Sequence, residues 1–231
     1  MHNRLEGMLF DKDGTLFDFQ ATWGAWAGDF IHTLANGDDT LGDGLAELLG
    51  YDRRRGVFRP DSFVVTESME TVIGVLHKAL PHWSAEALYD YVNTSTCTAP
   101  QAPVVPLAPL LGDLRGRGLK LGVATNDNAV PARAHLEAAG VLQSFDFIAS
   151  CDSGFGEKPA PGMLLAFGRA LEIAPENIAM VGDSVHDMRA GRAAGMVCVG
   201  VTSGTVGAEV LAPFADVVLP DIGHIPGWLY G

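Results

Sequence analysis

The sequence predicts an α/β fold in which a parallel sheet carries a helical insert after its first strand. Three observations predict it. In the second half of the chain, short apolar runs alternate with amphipathic helical stretches, the pattern of βαβ units. Near the start, Met8-Leu9-Phe10 stops abruptly at Asp11-Lys12-Asp13-Gly14-Thr15, which reads as a buried strand presenting acids at its carboxyl end. Between these two parts, residues 20 to 97 have helical periodicity and almost no strand-like alternation.

The elements follow in order. The first strand is expected over about Glu6–Phe10. Trp23, Trp26, Ala27, Phe30, Ile31 and Leu34 fall on one helical face, as do Met69, Val72, Ile73, Leu76 and Leu80; both stripes are expected to pack between helices. Ser84 can cap a helix over Ala85–Val92. Pro100, Pro103, Pro106 and Pro109 read as a stiff linker, because proline fixes φ and supplies no N–H. Beyond it the chain predicts strands at Leu119–Thr125, Phe145–Ala149, Ile178–Val181, Val197–Val201 and Val217–Leu219. Helices are expected at Pro131–Ala139, Pro161–Leu171 and Asp187–Ala194. The expected division is therefore an α/β domain of residues 1–18 and 102–231, with residues 19–101 as a helical cap domain.

The chain has 231 residues, 48% of them hydrophobic, and 15 Lys+Arg against 28 Asp+Glu give a net charge of −13. Such a field argues against nucleic acid and against an anionic membrane surface as partners. An anionic substrate would need a local cation. The three cysteines, Cys97, Cys151 and Cys198, are far apart and form no C-x-x-C. They are expected as small hydrophobes of a reducing compartment. Residues 1–6 hold no apolar run of signal-peptide length, so a cytoplasmic protein is expected, acting as a monomer or a homodimer.

Two acids spaced i, i+2 at the end of a buried strand are costly unless a cation neutralises them. A hard cation such as Mg²⁺ takes oxygen ligands and leaves positions open for phosphate oxygens. Two later strands also end in polar groups, Thr125-Asn126-Asp127 and Gly182-Asp183-Ser184, with Asp187 four residues after Asp183; Lys158-Pro159 precedes a helix. Strand ends of one parallel sheet share an edge, where ligands bind in such folds. Asp11, Asp13, Thr125, Lys158, Asp183 and Asp187 can therefore converge.

These four segments, in this order, resemble the haloacid dehalogenase-like hydrolase superfamily, and the helical insert is similar to the cap of its phosphoglycolate phosphatase-like branch. The resemblance implies a Rossmann-like core with a helical cap, and a Mg²⁺-dependent phosphatase of a small phosphorylated metabolite, such as phosphoglycolate. Asp11 would be the nucleophile that forms an aspartyl phosphate. Asp13 would act as general acid and then base. Thr125 and the Asn126 backbone would hold phosphoryl oxygens, and Lys158 would neutralise Asp11 and the transferring group. Asp11, Asp183 and the Asp13 carbonyl would bind Mg²⁺, with Asp187 orienting either the metal shell or Lys158. Asp11 must stay ionised, which Mg²⁺ and Lys158 favour, and for Asp13 to hold a proton it should sit farther from that positive charge.

Other residues stand beside this reading. Asp127 and Asp152 are expected to cap or turn, Ser184 either to cap a helix or to touch the metal shell, and His186 to be structural. The basic run Arg53-Arg54-Arg55 with Arg59 either recruits a second anionic group of the substrate or is a solvated loop. A sugar phosphomutase of the same superfamily and a phospho-receiver module are the alternative functions. The acid two residues after Asp11 and the long insert argue against the receiver.

Overall fold

The computed structural model describes residues 5–59, 62–65, 67 and 69–231. The first strand, β1 (Gly7–Phe10), is wholly buried. A wide π-type turn at Gln20–Gly24 leads into α1 (Ala25–Ala35) and α2 (Asp39–Leu49), followed by a short hairpin of β2 (Tyr51–Asp52) and β3 (Val57–Phe58). Helices α3 (Met69–Ala79), α4 (Ala85–Thr96) and α5 (Leu107–Gly116) come next. Ser84 caps α4 as expected, its hydroxyl accepting from the Ala87 N–H at 3.1 Å.

From there strands and helices alternate: β4 (Lys120–Ala124), α6 (Ala129–Ala138), β5 (Phe147–Ala149), α7 (Gly162–Leu171), β6 (Ile178–Gly182), α8 (Val185–Ala194), β7 (Val197–Val201), α9 (Ala208–Leu211), β8 (Val217–Leu219) and α10 (Ile225–Tyr230). The six strands of the main sheet run in the order β5-β4-β1-β6-β7-β8, all parallel. Chain order reverses on either side of β1, so β1 lies at the switch point where a crevice opens above the strand ends.

Alternation along β1 explains the two layers. Met8 and Phe10 pack on one face with Leu107, Leu111 and Leu114 of α5. Leu9 points to the other face, against Met163, Leu164 and Phe167 of α7. The segment between β1 and α5 gathers a separate apolar cluster around Trp23, Phe30, Leu45, Ile73, Leu76 and Leu88.

Two expectations are corrected here. The proline-rich stretch does not end at Pro109: α5 begins at Leu107, so Pro109 occupies its first turn, where an N–H has no intrahelical partner to lose. The insert also contains the β2–β3 hairpin, too short to leave an alternating pattern. The two crossings between sheet and insert run side by side. The Asp18 N–H donates to the Ala102 carbonyl at 2.8 Å, and the Val104 N–H to the Leu16 carbonyl at 3.0 Å.

Candidate active site

The carboxyl ends of β1, β4 and β6 meet in one crevice beneath the insert. Asp11 continues β1, its N–H donating to the Val181 carbonyl of β6 at 2.8 Å. The chain then folds back on itself through bonds from the Leu16 and Phe17 N–H groups to the Lys12 carbonyl. Gly14 sits in this turn at φ +88°, and a Cβ there would overlap the Asp183 carboxylate. Glycine is thus required twice over, by conformation and by proximity.

Lys158 lies at the centre of the floor, 4% exposed. Its ammonium donates to Asp11 at 2.6 Å and to Asp187 at 2.7 Å. The backbone of Lys158 is clamped by the Asn126 side chain, which accepts from its N–H at 2.8 Å and donates to its carbonyl at 2.9 Å. The family resemblance implies only a backbone contact from Asn126 to phosphate; its side chain proves to fix the lysine. Thr125 is buried at the end of β4, its N–H paired with the Ala149 carbonyl.

Asp187 is held from both sides. One oxygen takes the Lys158 ammonium, and the other accepts from the Ser184 N–H at 3.0 Å and the Ser184 hydroxyl at 2.6 Å. Ser184 in turn accepts from the Asp187 N–H, closing a capping box on α8. Ser184 is therefore a helix cap. Asp183 accepts from the Thr15 hydroxyl at 3.4 Å and sits beneath the loop after β7, where the Ser203 hydroxyl donates to the Gly14 carbonyl at 2.8 Å.

Carboxylate oxygens of Asp11, Asp183 and Asp187 all lie within 4.8 Å of one another. One ammonium cannot balance three buried acids. Burial pushes Asp11 up to about 7, with Lys158 opposing the rise and Asp187 adding to it. Burial, then the negative charge of Asp11 and Asp187, pushes Asp183 well above the usual carboxylate range. For Lys158, burial lowers the value, but Asp11 and Asp187 outweigh it and the net shift is upward. This oxygen-rich, electron-rich set is one that a hard divalent cation would relieve.

Asp13 stands apart from this trio, and the ion pairs of Lys158 are with Asp11 and Asp187. Asp13 has a cation of its own: the Lys12 ammonium lies 2.7 Å from its carboxylate. Lys12 is fully buried yet also meets Asp127 at 3.2 Å and His135 Nδ1 at 3.0 Å. Its charge is divided between two acids, so Asp13 does not receive it alone. Burial lowers the lysine value, but Asp13 and Asp127 raise it further. Asp127 makes the expected turn contact to the Asn128 N–H at 2.8 Å as well. Asp152 caps α6 through the Ala129 N–H.

Between these acids and the insert lies a cavity of about 150 Å³. Asp11, Asp13, Thr125, Asn126, Lys158, Asp183 and Asp187, the residues singled out in the sequence, all line it. His186, expected to be structural, lines it too, as do Trp23 and Trp26, whose spacing predicts packing. No arginine among the described residues lines it. Arg53 pairs instead with Asp39 and Asp43 of α2, Arg59 pairs with Glu47, and Arg54 and Arg55 are exposed. All three cysteines are free. No helix among the described residues is long and apolar enough to cross a membrane.

Residues 5–195 match the family model of haloacid dehalogenase-like hydrolases. The phosphoglycolate phosphatase of Escherichia coli (strain K12) is 34% identical over 94% of this chain and 88% of its own. Among solved structures, the HAD phosphatase from Thermococcus onnurineus superposes with a TM-score of 0.70 at 23% identity, covering 98% of this chain and 99% of its own. The β-phosphoglucomutase from Clostridium difficile superposes with a TM-score of 0.63 at 20% identity, covering 96% and 93%; at that identity the likeness is one of fold. The arrangement of acids and lysine at the switch point and these matches agree: the chain belongs to the haloacid dehalogenase-like hydrolase family and stands among its phosphatases.

Proposed function

We propose that the protein hydrolyses a small phosphomonoester through a phosphorylated Asp11, with Mg²⁺ as its metal. The observation that carries this reading is the ion pair of Asp11 with Lys158 on the cavity floor, with Asp183 and Asp187 within 4.8 Å. Phosphoryl transfer asks mainly for positioning and for neutralisation of the phosphoryl oxygens, and this floor offers both.

The donors fit a hard cation: they are all oxygens, buried, and more negative than Lys158 can balance. Asp11, Asp183 and the Asp13 carbonyl would hold Mg²⁺, which when bound offsets charge on the phosphoryl oxygens. Both oxygens of Asp187 are already engaged, by Lys158 and Ser184, which suits a supporting role. In the first step an Asp11 oxygen attacks phosphorus and the ester oxygen departs with a proton from Asp13. In the second, water attacks the phosphorus of phospho-Asp11 and gives its proton to Asp13, releasing phosphate and restoring the Asp11 carboxylate. Thr125 and the Asn126 N–H would hold phosphoryl oxygens throughout, and Lys158 would balance them.

In this reading residues 1–18 and 102–231 form the catalytic core and residues 19–101 a cap whose closure excludes water. The paired crossings at Asp18–Ala102 and Leu16–Val104 would be its hinge. Phosphoglycolate, named for relatives such as the E. coli enzyme, is the first substrate to test. The test is release of inorganic phosphate across a panel of phosphomonoesters, with and without Mg²⁺. Turnover that requires Mg²⁺ and disappears in Asp11→Asn is expected. Phosphate retained on an isomerised sugar would establish a mutase, and a stable phospho-Asp11 a receiver.

A further inference from the structure

We propose that the ester group of the substrate is aromatic or bulky and apolar, not a small carboxylate; this inference rests on the phosphatase reading of the same cavity. The roof above the acids is built from Trp23, Trp26, Phe30, Phe58, Val64 and Met69, all lining the space that begins at Asp11 and Lys158. Trp26 stacks on Phe30, with ring centroids 4.5 Å apart and planes 20° from parallel, and Trp23 meets Trp26 edge to face at 5.5 Å. These rings brace one another, so the wall they present is stiff and apolar, and suited to an aromatic or bulky apolar group.

The same roof is poorly made for an anion. Lys158 is the one lysine or arginine among the described lining residues, and its ammonium already serves Asp11 and Asp187. Among the described lining residues contributed by the insert, the one ionisable group is Glu67, an acid, while His186 lines the cavity from α8 on the opposite side. The basic run Arg53–Arg55 does not reach the cavity, and Arg53 is spent on two aspartates of α2. A carboxylate two atoms from the transferred phosphorus would thus be desolvated against rings and a like charge, with no unpaired lysine or arginine among the described lining residues to receive it. An apolar group in that place loses nothing and removes its surface from water.

The experiment compares 2-phenylethyl phosphate with phosphoglycolate on the full chain with Mg²⁺. Both leave as primary alkoxides, so the comparison reads the roof more than the chemistry. A kcat/KM at least about tenfold higher for 2-phenylethyl phosphate, mainly through KM, is expected. Met69→Lys, which places an ammonium in the roof, should shrink that ratio. A ratio of one or below in the unaltered chain overturns the proposal. Calorimetric binding of both compounds to Asp11→Asn separates this inference from the reading beneath it. If no phosphomonoester of the panel is hydrolysed yet 2-phenylethyl phosphate binds at least about tenfold tighter, the phosphatase reading falls and the apolar roof stands. Equal or tighter binding of phosphoglycolate overturns the roof.

Discussion

His135 Nδ1 lies 3.0 Å from the ammonium of Lys12, deep beneath the cavity. A lysine ammonium only donates, so Nδ1 must accept and the imidazole is neutral with its proton on Nε2. Nε2 then donates to the Thr96 carbonyl at 2.6 Å, at the end of α4. Asp13, Lys12, His135 and Thr96 therefore form one line of hydrogen bonds from the proposed general acid to the insert.

The first prediction concerns Lys12. Replacing it with Met leaves Asp13 and Asp127 side by side with no buried cation between them. Loss of one partner of a buried ion pair costs about 3–5 kcal/mol, and thermal unfolding should show that loss. Turnover adds a separate readout. If Lys12 positions Asp13 for protonating the departing oxygen, Lys12→Met should lose far more activity on an alkyl phosphate than on p-nitrophenyl phosphate, whose leaving group needs no proton. An equal loss on both would assign Lys12 to stability alone.

His135 predicts a pH effect whose sign is fixed. Burial, then the charge of Lys12, lowers its value from 6.5 to about 4. As pH falls through 6.5, the unfolded chain takes up a proton that the folded chain refuses until about pH 4. Stability therefore falls with pH across that window, by up to about 3 kcal/mol. Asp11 and Asp183 on the cavity floor act oppositely, since their raised values favour the folded protein as pH drops. Comparison with His135→Gln isolates the histidine: denaturant unfolding should show a steeper loss between pH 6.5 and pH 4 in the unaltered chain.

The sheet and most of the floor were legible from residues because parallel strands leave apolar runs that end abruptly, and Asp11, Thr125, Lys158 and Asp183 mark such ends or the loops beside them. The Lys12–His135 contact was not legible. It joins residues 123 positions apart, and no spacing in the sequence pairs Lys12 with a histidine of a later helix. The roof was hidden differently. Trp23 and Trp26 keep the helical spacing of packing residues whether the partner is a neighbouring helix or a substrate, and periodicity does not tell the two apart. Pro109 misled for a third reason: a proline blocks a helix interior but is harmless in a first turn, and the sequence does not say where the turn begins.

Metal binding should be coupled to protons. With Asp11 raised to about 7 and Asp183 raised as well, the metal-free floor holds protons at neutral pH that a cation must displace. Mg²⁺ binding near pH 7 should then release at least about half a proton per site. Its affinity should weaken as pH is lowered from about 8 to about 6. Calorimetry in buffers of different ionisation enthalpy measures the release directly. Binding with no buffer dependence would mean that the acids are already ionised and that the floor is less crowded than its geometry indicates.

Gly204 offers the most local test of the floor. It lies in the loop after β7, where a Cβ would overlap the Asp183 carboxylate. The same loop is pinned to the β1 turn by the bond from Ser203 to the Gly14 carbonyl, so it cannot lift away without breaking that contact. Gly204→Ala must therefore push Asp183 off its position. Overpacking of this kind costs about 1–3 kcal/mol, and misplacing a proposed metal carboxylate by about 1 Å costs on the order of 100-fold in rate. Gly112 is the control: it lies within α5, and a Cβ added there would meet nothing within 4 Å, so Gly112→Ala should leave turnover unchanged and add slightly to stability. Raising Mg²⁺ should partly restore Gly204→Ala and leave Asp11→Asn inactive, because the first variant weakens a metal site while the second removes the nucleophile.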